Sequence, residues 1–549
     1  MTPSIHSDNS LTPPRAVWSR LALALALVLC TASAQVSLAQ PAGAALGRGT
    51  GSLPSLGDNS ELSAAAERRI GDRIAAGIYR DPDYVDDPVL GDYLQGIWQP
   101  LLAAARARGE LGAEIDERFA WEVFLIRDRT INAFALPGGY FGVHLGLIGT
   151  VGSADEMAAV LAHELSHVTQ RHISRLMTQQ SRQAPWMIAA MVLGALAASK
   201  HPDAGTAAIV GGQALAAQGQ LNFSRDMERE ADRVGFGVMS DAGYASRGVS
   251  SMFEKLQQAS RLNDNGSFPY LRSHPLTTER IAEAQARVQL ASTSASAVKT
   301  TPEKQADEGS ALLLHAMMAA RARILTIPGV DVLRTLLTEA QRRSGTLQAL
   351  QSPASAANVR DAGALYAGAF AAAQLRDFAS ARSLLNRLKP FTADMARAGK
   401  AALLLAIEID LLEGKVPPSA ASADMSKAIS RAELLTEAKS LMAAKRAPEV
   451  SQALQTWVAS HPRDALAWQS LAVAYGQQNQ NVRAIRADAE SRAAQLDYTG
   501  ALDRLKAAQA QMRSNPASAD YVEASIIDTR TRQIELVLKE QALQDKINR

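Results

Sequence analysis

Apolar residues recur every three to four positions along most of the chain, a period that predicts α-helices. Near the start, this pattern predicts one helix over residues 69–79 and another over 89–105, in which Pro100 is expected to cause a kink or a break. Runs of β-branched and aromatic residues instead predict three short strands, at 121–126, 130–136 and 140–145. The expected fold class is therefore mainly α, with a small β-sheet.

The predicted sheet admits two roles. Its strands can support the neighbouring helices, and an edge strand beside a helix can also pair with an extended peptide. His144, near the end of the third strand, is interpreted as a structural residue.

The next predicted helix carries an unusual polar pattern. It begins with a capping box formed by Ser153 and Glu156, and an apolar face follows. His163 and His167 are four positions apart, so their imidazoles project from one helix face and can share a metal ion. Glu164, between them, can reach a water on that metal. The alternative is a pair of core histidines on an ordinary helix.

A later acidic helix can supply the third metal ligand, which the two histidines alone do not provide. A catalytic zinc site usually has three protein ligands and one water. Glu228 and Asp232 are one helical turn apart on the same face, so we expect Glu228 to be the third ligand and Asp232 to orient a ligand histidine. Because arginines are interleaved with these acids, a solvated charged helix is the alternative.

Length, composition and net charge limit the number of domains, the fold class and the kinds of partner that the protein can have. The 549 residues favour two to four domains, and abundant alanine and leucine with only 5% aromatic residues favour helices. The net charge is +2 and the basic residues are scattered, so no nucleic-acid partner is expected.

The N-terminus is predicted to direct export. Residues 1–34 have the basic start, short apolar run and small residues of a signal peptide cleaved after Ala34, with Ala39 as an alternative site. Cys30 is the only cysteine, so the mature chain would contain none and its zinc ligands must be His, Asp or Glu. Lipidation of Cys30 is a less favoured alternative. Residues 35–60, rich in Gly, Ser, Pro and Ala, are predicted to be a disordered linker.

Two apolar runs lie between the candidate metal motifs, within residues 186–217. Each is shorter than the ~20 residues that a membrane-spanning helix requires. We expect a helical hairpin that is buried or caps the site. Peripheral contact with a membrane or an apolar client is an alternative, and a membrane crossing is another.

The C-terminal half is predicted to be a helical repeat domain over residues 309–549. Leu434 and Leu466 begin comparable helices about one 34-residue period apart, which is typical of tetratricopeptide repeats. A linker at 292–308 is expected to separate these repeats from a metallopeptidase domain at 61–291. A plain helical bundle is the alternative.

The order of the motifs resembles a known family. The chain is similar to the zinc metallopeptidases that include HtpX, the CAAX prenyl endopeptidase and BepA, and the motifs shared are H-E-L-S-H, E-R-E-A-D, Asn132-Ala-Phe-Ala with Gly138-Gly139, and Ser273-His274-Pro275. The resemblance is close over 61–290 and implies a zincin-like fold with one zinc ion per chain. It also implies the roles of the site residues: His163, His167 and Glu228 as zinc ligands, Glu164 as general base and Asp232 as the aspartate behind the ligands.

The resemblance places His274 at the active-site cleft. Two roles remain open: binding the fourth zinc position in a resting state, or donating a hydrogen bond to the oxyanion during cleavage. The implied function is that of a periplasmic zinc metalloendopeptidase that cleaves misfolded or misassembled envelope proteins. Its implied clients are outer-membrane β-barrel proteins and their assembly machinery. The alternative is a repeat-based chaperone or assembly adaptor whose metal site is not catalytic. The sequence gives no indication of oligomeric state.

Overall fold

The fold is mainly helical with one small sheet, which confirms the predicted fold class. A computed structural model describes residues 62–180, 224–262, 270–295, 302–326, 328–343, 356–393, 395–514 and 520–547. The predicted signal peptide, the predicted linker at 35–60 and the apolar segment at 186–217 lie outside the described residues. Among the helices that are described, none is both long and apolar enough to cross a membrane.

The first two long helices begin at side-chain caps. The Ser63 hydroxyl accepts a hydrogen bond from the Ala66 N–H at the start of α1 (Ala64–Arg80), and Asp87 caps α2 (Pro88–Ala107). Helix α2 continues through Pro100, so the predicted break is wrong. Proline at this position leaves the carbonyl of Gly96 without its helical donor, and the Tyr244 hydroxyl donates to that carbonyl instead at 3.3 Å.

The sheet has four strands in the order β1-β2-β4-β3, and it places β3 at an edge. Strands β2 and β4 are parallel, whereas the β1–β2 and β3–β4 pairs are antiparallel. Gly138 and Gly139, with φ of 75° and 79°, make the turn from β3 to β4. The strands are β1 (Tyr84–Val85), β2 (Glu122–Ile126), β3 (Ala133–Leu136) and β4 (Tyr140–His144).

One buried helix, α5 (Ala154–Thr169), lies across the edge strand and carries the H-E-x-x-H motif. Ser153 caps it by accepting a hydrogen bond from the Glu156 N–H, as the capping box predicts. Gly235 lies on helix α7 (Arg225–Asp241) and lets it approach α5 closely, because a Cβ there would lie 3.0 Å from the Ala162 carbonyl oxygen. The other helices around the sheet are α3 (Ala113–Arg118), α4 (Leu145–Thr150), α6 (His172–Gln180), α7 (Arg225–Asp241), α8 (Arg247–Leu262), α9 (Tyr270–Ser273) and α10 (Thr278–Ala295).

The C-terminal half consists of successive helices. Three of them begin at Arg431, Ala465 and Tyr498, 34 and 33 positions apart, which supports the tetratricopeptide prediction without deciding it. The helices are α11 (Pro302–Leu325), α12 (Val330–Arg343), α13 (Ala356–Gln374), α14 (Phe378–Thr392), α15 (Ala396–Glu413), α16 (Arg431–Ala443), α17 (Ala447–Ser460), α18 (Ala465–Gln477), α19 (Asn481–Ala494), α20 (Tyr498–Ser514) and α21 (Tyr521–Ile547). Short 3₁₀ helices span Pro418–Ala421 and Met425–Lys427.

The first helices of that half share a hydrophobic core with the sheet and the H-E-x-x-H helix. Leu313 and Met317 of α11 are fully buried in the same core as Leu147 of α4 and Leu161 of α5. The later helices form two smaller cores of their own. Helix α10 extends into the predicted linker at 292–308 as far as Ala295, and α11 begins within it at Pro302. The domain boundary in this linker stays a prediction.

Candidate metal centre

Four side chains from three parts of the chain converge beneath the edge strand. They are His163, His167, Glu228 and His274, all buried, and one ligand atom from each lies within 4.8 Å of every other. Helix α5 supplies the first two, α7 supplies Glu228, and His274 follows α9 directly. The structure therefore brings together the three residues that the sequence suggested as ligands, two through their spacing on α5 and the third through the packing of α7 against it.

The histidine and carboxylate atoms face a common point. The Nε2 atoms of His163 and His167 are 3.0 Å apart. Glu228 places Oε2 at 3.4 Å from the first nitrogen and Oε1 at 3.4 Å from the second. Two imidazole nitrogens and a carboxylate oxygen are a donor set that zinc accepts in catalytic sites, so the residues fit the ion.

His274 reaches both the candidate ligands and the candidate base. Its Nδ1 atom lies 3.0 Å from Glu228 Oε1 and 3.3 Å from His163 Nε2. Its Nε2 atom lies 3.4 Å from Glu164 Oε1, and its ring stacks on Tyr270 with centroids 4.7 Å apart. The position is compatible with both roles predicted for His274.

Glu164 lies between the cluster and the edge strand. Its Oε2 atom accepts a hydrogen bond of 3.0 Å from the Ala135 N–H in β3. The side chain is 1% exposed, and burial raises the pKa of the Glu164 carboxyl above its usual range. A carboxylate with a raised pKa is a better proton acceptor near neutral pH than an exposed one.

Asp232 stands behind His163, as the sequence predicts. Its Oδ1 atom is 3.0 Å from His163 Nδ1, the nitrogen on the opposite side of the ring from the cluster. Arg280 donates two hydrogen bonds to Asp232, of 2.7 and 2.9 Å, and one to the Pro275 carbonyl at 2.7 Å. The guanidinium also lies 2.7 Å from Glu228 Oε2, so it connects both acids of α7.

Two carboxyl groups of the site, those of Glu228 and Asp232, are held ionised. Burial would raise the pKa of Glu228, but the neighbouring histidines outweigh it and hold the pKa far below its usual range. Burial opposes ionisation of Asp232 as well, yet Arg280 and His163 lower its pKa to about 2. Burial would lower the pKa of His163, but hydrogen bonds with Asp232 and Glu228 raise it to about 10. These two ionised carboxylates are balanced by Arg280 and by the proton on His163, and a metal ion at the cluster would replace that proton.

Sequence reasoning missed three partners of the site. The Ala135 amide could not be identified because a backbone group carries no signal of its residue type. Tyr270 and His172 had weak signals, since one precedes His274 by four positions and the other follows His167 by five. His144, interpreted as structural, has its Nδ1 atom 2.8 Å from Thr130 Oγ1.

Comparisons with known proteins agree with this geometry. Residues 109–288 match the family described as peptidase family M48. The beta-barrel assembly-enhancing protease of Escherichia coli strain K12 is 32% identical over 237 residues, 43% of this chain and 47% of that protein. Its namesake from Yersinia pestis is 27% identical over 468 residues, 84% of this chain and 88% of that protein. The mitochondrial metalloendopeptidase OMA1 of Arabidopsis thaliana is 31% identical over 164 residues, 30% of this chain and 31% of that protein.

These matches differ in extent. The chain spans about half the length of its Escherichia coli relative, whereas the Yersinia pestis match, at lower identity, covers most of both proteins. All the candidate site residues fall within the segment that matches the family. Residues 109–288 therefore match peptidase family M48, and over most of its length the chain is similar to a beta-barrel assembly-enhancing protease.

Proposed function

We propose that this protein is a zinc metalloendopeptidase of the bacterial envelope, with one zinc ion per chain. The observation that supports the proposal is the convergence of His163, His167 and Glu228, with Glu164 beside them and hydrogen-bonded to an edge strand. A purely structural zinc site needs no base, so the buried Glu164 beside the cluster favours a catalytic site.

The side chains divide the chemistry among them. Zinc, when bound by His163, His167 and Glu228, supplies Lewis acidity to the scissile carbonyl and to a water molecule. Glu164 takes the proton from that water and later gives it to the leaving amine. Asp232 holds the ring of His163 from its Nδ1 side, which keeps Nε2 directed at the ion.

The edge strand β3 offers backbone groups to a substrate. The Ala135 N–H points away from β4, because it reaches Glu164. The antiparallel register gives Ala133 the same outward direction, since residues two apart on a strand face the same way. Ala133 is fully buried, however, so an extended peptide would pair at the half-buried Ala135, taking its N–H from Glu164, and would run past the metal centre.

The similarity to beta-barrel assembly-enhancing proteases suggests the clients. We infer that the substrates are misfolded or misassembled envelope proteins, among them outer-membrane β-barrel proteins and their assembly machinery, and that cleavage takes place in the periplasm. The successive C-terminal helices would dock such clients, because stacked helical repeats present an extended binding surface.

The test is Glu164→Gln in the full-length protein. The variant should keep one zinc ion per chain by elemental analysis, lose cleavage of an unstructured peptide, and retain bound clients that can then be identified. The wild-type protein is the control for zinc content and cleavage. Cleavage at the wild-type rate by the variant would refute the enzyme proposal and favour the chaperone or adaptor alternative, in which the metal site is not catalytic.

A further inference from the structure

A fourth histidine contacts His167, the second candidate ligand, from outside the metal cluster. His172, the first residue of α6, is fully buried, and its Nδ1 atom lies 2.9 Å from the Nδ1 atom of His167. Its other nitrogen, Nε2, lies 3.0 Å from Glu230 Oε2. Arg175 also donates to Glu230, at 3.0 Å. These contacts form a chain that runs from His167 through His172 and Glu230 to Arg175.

The backbone turns sharply to make this contact. Helix α5 ends at Thr169, and Arg171 adopts the left-handed conformation with φ of 57°. Such a conformation is unfavourable for a residue with a side chain unless its surroundings hold it. Here the Arg171 guanidinium donates to the Leu62 carbonyl at 2.5 Å and lies 3.0 Å from the buried Glu67 carboxylate. The turn brings the ring of His172 back against His167.

The chemistry of metal binding allows only one arrangement of protons along this chain. His167 directs Nε2 at the metal cluster, and a nitrogen that binds a metal carries no proton. The proton of a neutral His167 must therefore be on Nδ1, from which it is donated to His172 Nδ1. His172 then carries its own proton on Nε2 and donates it to Glu230.

We propose that His172, held by Glu230, is a positioning residue that fixes the tautomer and the ring orientation of His167 for metal binding. The two histidines of the H-E-x-x-H motif are thus supported differently. Asp232 contacts His163 directly and is itself fixed by Arg280, whereas a neutral imidazole contacts His167 and is itself fixed by a carboxylate. The inference rests on the proposed metal site and adds two residues, His172 and Glu230, to its support.

Zinc affinity measured on the full-length protein by competition with a chromophoric chelator tests the proposal. His172→Leu removes the acceptor for His167 and should weaken zinc binding by roughly 10- to 100-fold, the usual effect of losing such a partner. His172→Asn places an amide oxygen near the position of Nδ1 and should stay within about threefold of wild type, by the same reasoning. His144→Leu, which removes another buried histidine, is the matched control and should leave zinc affinity unchanged.

A second measurement reports the hydrogen bond itself. In the cobalt-substituted protein, the Nδ1 proton of a ligand histidine gives a shifted NMR signal that disappears in D₂O. We expect the signal of His167 to exchange slowly in wild type and in His172→Asn, and to be lost or to exchange rapidly in His172→Leu. A role confined to packing would not distinguish the two variants in this way.

The outcomes separate this inference from the proposed function. If wild type binds no zinc, the metal site itself is wrong. If wild type binds zinc and a folded His172→Leu protein binds it equally well, the positioning role is refuted. Should His172→Leu fail to fold, Glu230→Leu and Glu230→Gln replace it, because only the glutamine keeps an acceptor for His172. Equal zinc affinity in those two variants and wild type would also refute the role.

Discussion

At the scale of single residues, His274 has the contacts that most affect the proposed chemistry. Its Nδ1 atom lies among the ligand atoms, whereas its Nε2 atom faces Glu164. A three-ligand zinc site leaves one position open, and an imidazole in that position would exclude water from it. In the described structure, His274 is placed to act as this fourth ligand.

We therefore expect His274→Ala to raise the basal rate of peptide cleavage. The physical reason is that the variant frees the coordination position that a water must occupy. The comparison is a kinetic one, between wild type and variant on a single peptide. A fall in kcat of ~100-fold or more would instead assign His274 to the oxyanion, and an unchanged rate would exclude both roles.

Replacing Glu228 should remove the metal and also weaken the fold. Glu228→Ala deletes the only carboxylate among the candidate ligands and leaves the Arg280 guanidinium with one acidic partner fewer in a buried site. Elemental analysis should find no zinc in the variant. Glu228→Gln, which keeps the size of the side chain, is the matched control for packing. Zinc content equal to wild type in the alanine variant would place the third ligand elsewhere.

Much of the metal centre could be predicted because it depends on spacing within helices. His163 and His167 lie on one face of their helix because they are four positions apart. The same spacing puts Glu228 and Asp232 on one face of theirs. His172 was not predictable in the same way. Its contact requires the left-handed turn at Arg171, and an arginine gives no sign in the sequence of that conformation.

At the scale of elements, helix α11 connects the C-terminal half to the H-E-x-x-H helix. His315 of α11 accepts a hydrogen bond from the Tyr93 hydroxyl at 2.5 Å and donates to the Val151 carbonyl at 2.8 Å, just before α5 begins. Arg323 donates to the Gly149 carbonyl from two nitrogens, at 2.9 and 2.5 Å. Helix α11 therefore fixes the loop that precedes α5.

The stability of the protein should depend on pH through His315. Burial lowers the pKa of His315, although its hydrogen bond to the Val151 carbonyl opposes this effect. The unfolded chain then binds more protons than the folded one below pH ~6.5, so the free energy of unfolding falls as the pH drops below that value. Between pH 7.5 and 5.5, wild type should lose more stability than His315→Gln, by at most about 1.4 kcal/mol.

Urea denaturation at the two pH values measures this difference. The exposed His461 provides the control, since His461→Gln should retain the pH dependence of wild type. An equal loss of stability in wild type and His315→Gln would contradict the assignment to His315.

A buried ion cluster ties three helices together. Arg321 of α11 donates to the Asp87 cap of α2 at 2.8 and 2.7 Å and to Glu408 of α15 at 2.9 and 2.7 Å. Arg321→Ala leaves a buried acid unpaired and should lower the free energy of unfolding by about 3–5 kcal/mol. Arg343→Ala, whose partly exposed side chain pairs with Glu339 and Asp361, is the control and should have a much smaller effect. Similar stability of the two variants would show that the cluster contributes little.

The elements of the site were easier to predict than their partners. The capping box at Ser153 fixed the start of α5, and three of the four strands followed from residue type. Strand β1 has only two residues, too few for an alternating pattern. The parallel pairing of β2 with β4 depends on contacts between distant segments, and the alanine-rich α11 carries no sequence signal that identifies its partners.

At the scale of the whole molecule, the hydrophobic cores suggest where the chain can be divided. The core that surrounds the metal centre includes helices α11 to α15, and the later helices pack mainly among themselves. Polar contacts join these later helices to the first part of the chain. In one of them, the Arg431 guanidinium donates to the two Asp86 carboxylate oxygens at 2.7 and 2.8 Å. Gly414, with φ of 83°, ends the last helix of the shared core.

A chain that ends at Gly414 should fold and cleave a short peptide, whereas one that ends at residue 301 should not. The shorter chain lacks Leu313 and Met317, whose removal would open the core beneath α4 and α5. Far-UV circular dichroism, zinc content and peptide cleavage compare both with the full-length protein. Full activity in the shorter chain would show that α11 is dispensable for the peptidase fold. Loss of cleavage for peptides and large clients alike in the longer chain would make the last helices part of the catalytic unit.

The edge position of β3 has a consequence for how clients would be selected. A peptide can pair with β3 at Ala135 only while its own backbone amides and carbonyls are free. A strand in a closed barrel has both of its sides paired, so a completed barrel offers nothing to β3, whatever its amino-acid sequence. If the clients are β-barrel proteins, as proposed, cleavage would depend on whether the client barrel closes before the protease binds one of its unpaired strands. A client with a slow assembly step would then be cleaved more often. Under the proposed function, the probability of cleavage would increase with the time that a strand of the client remains unpaired.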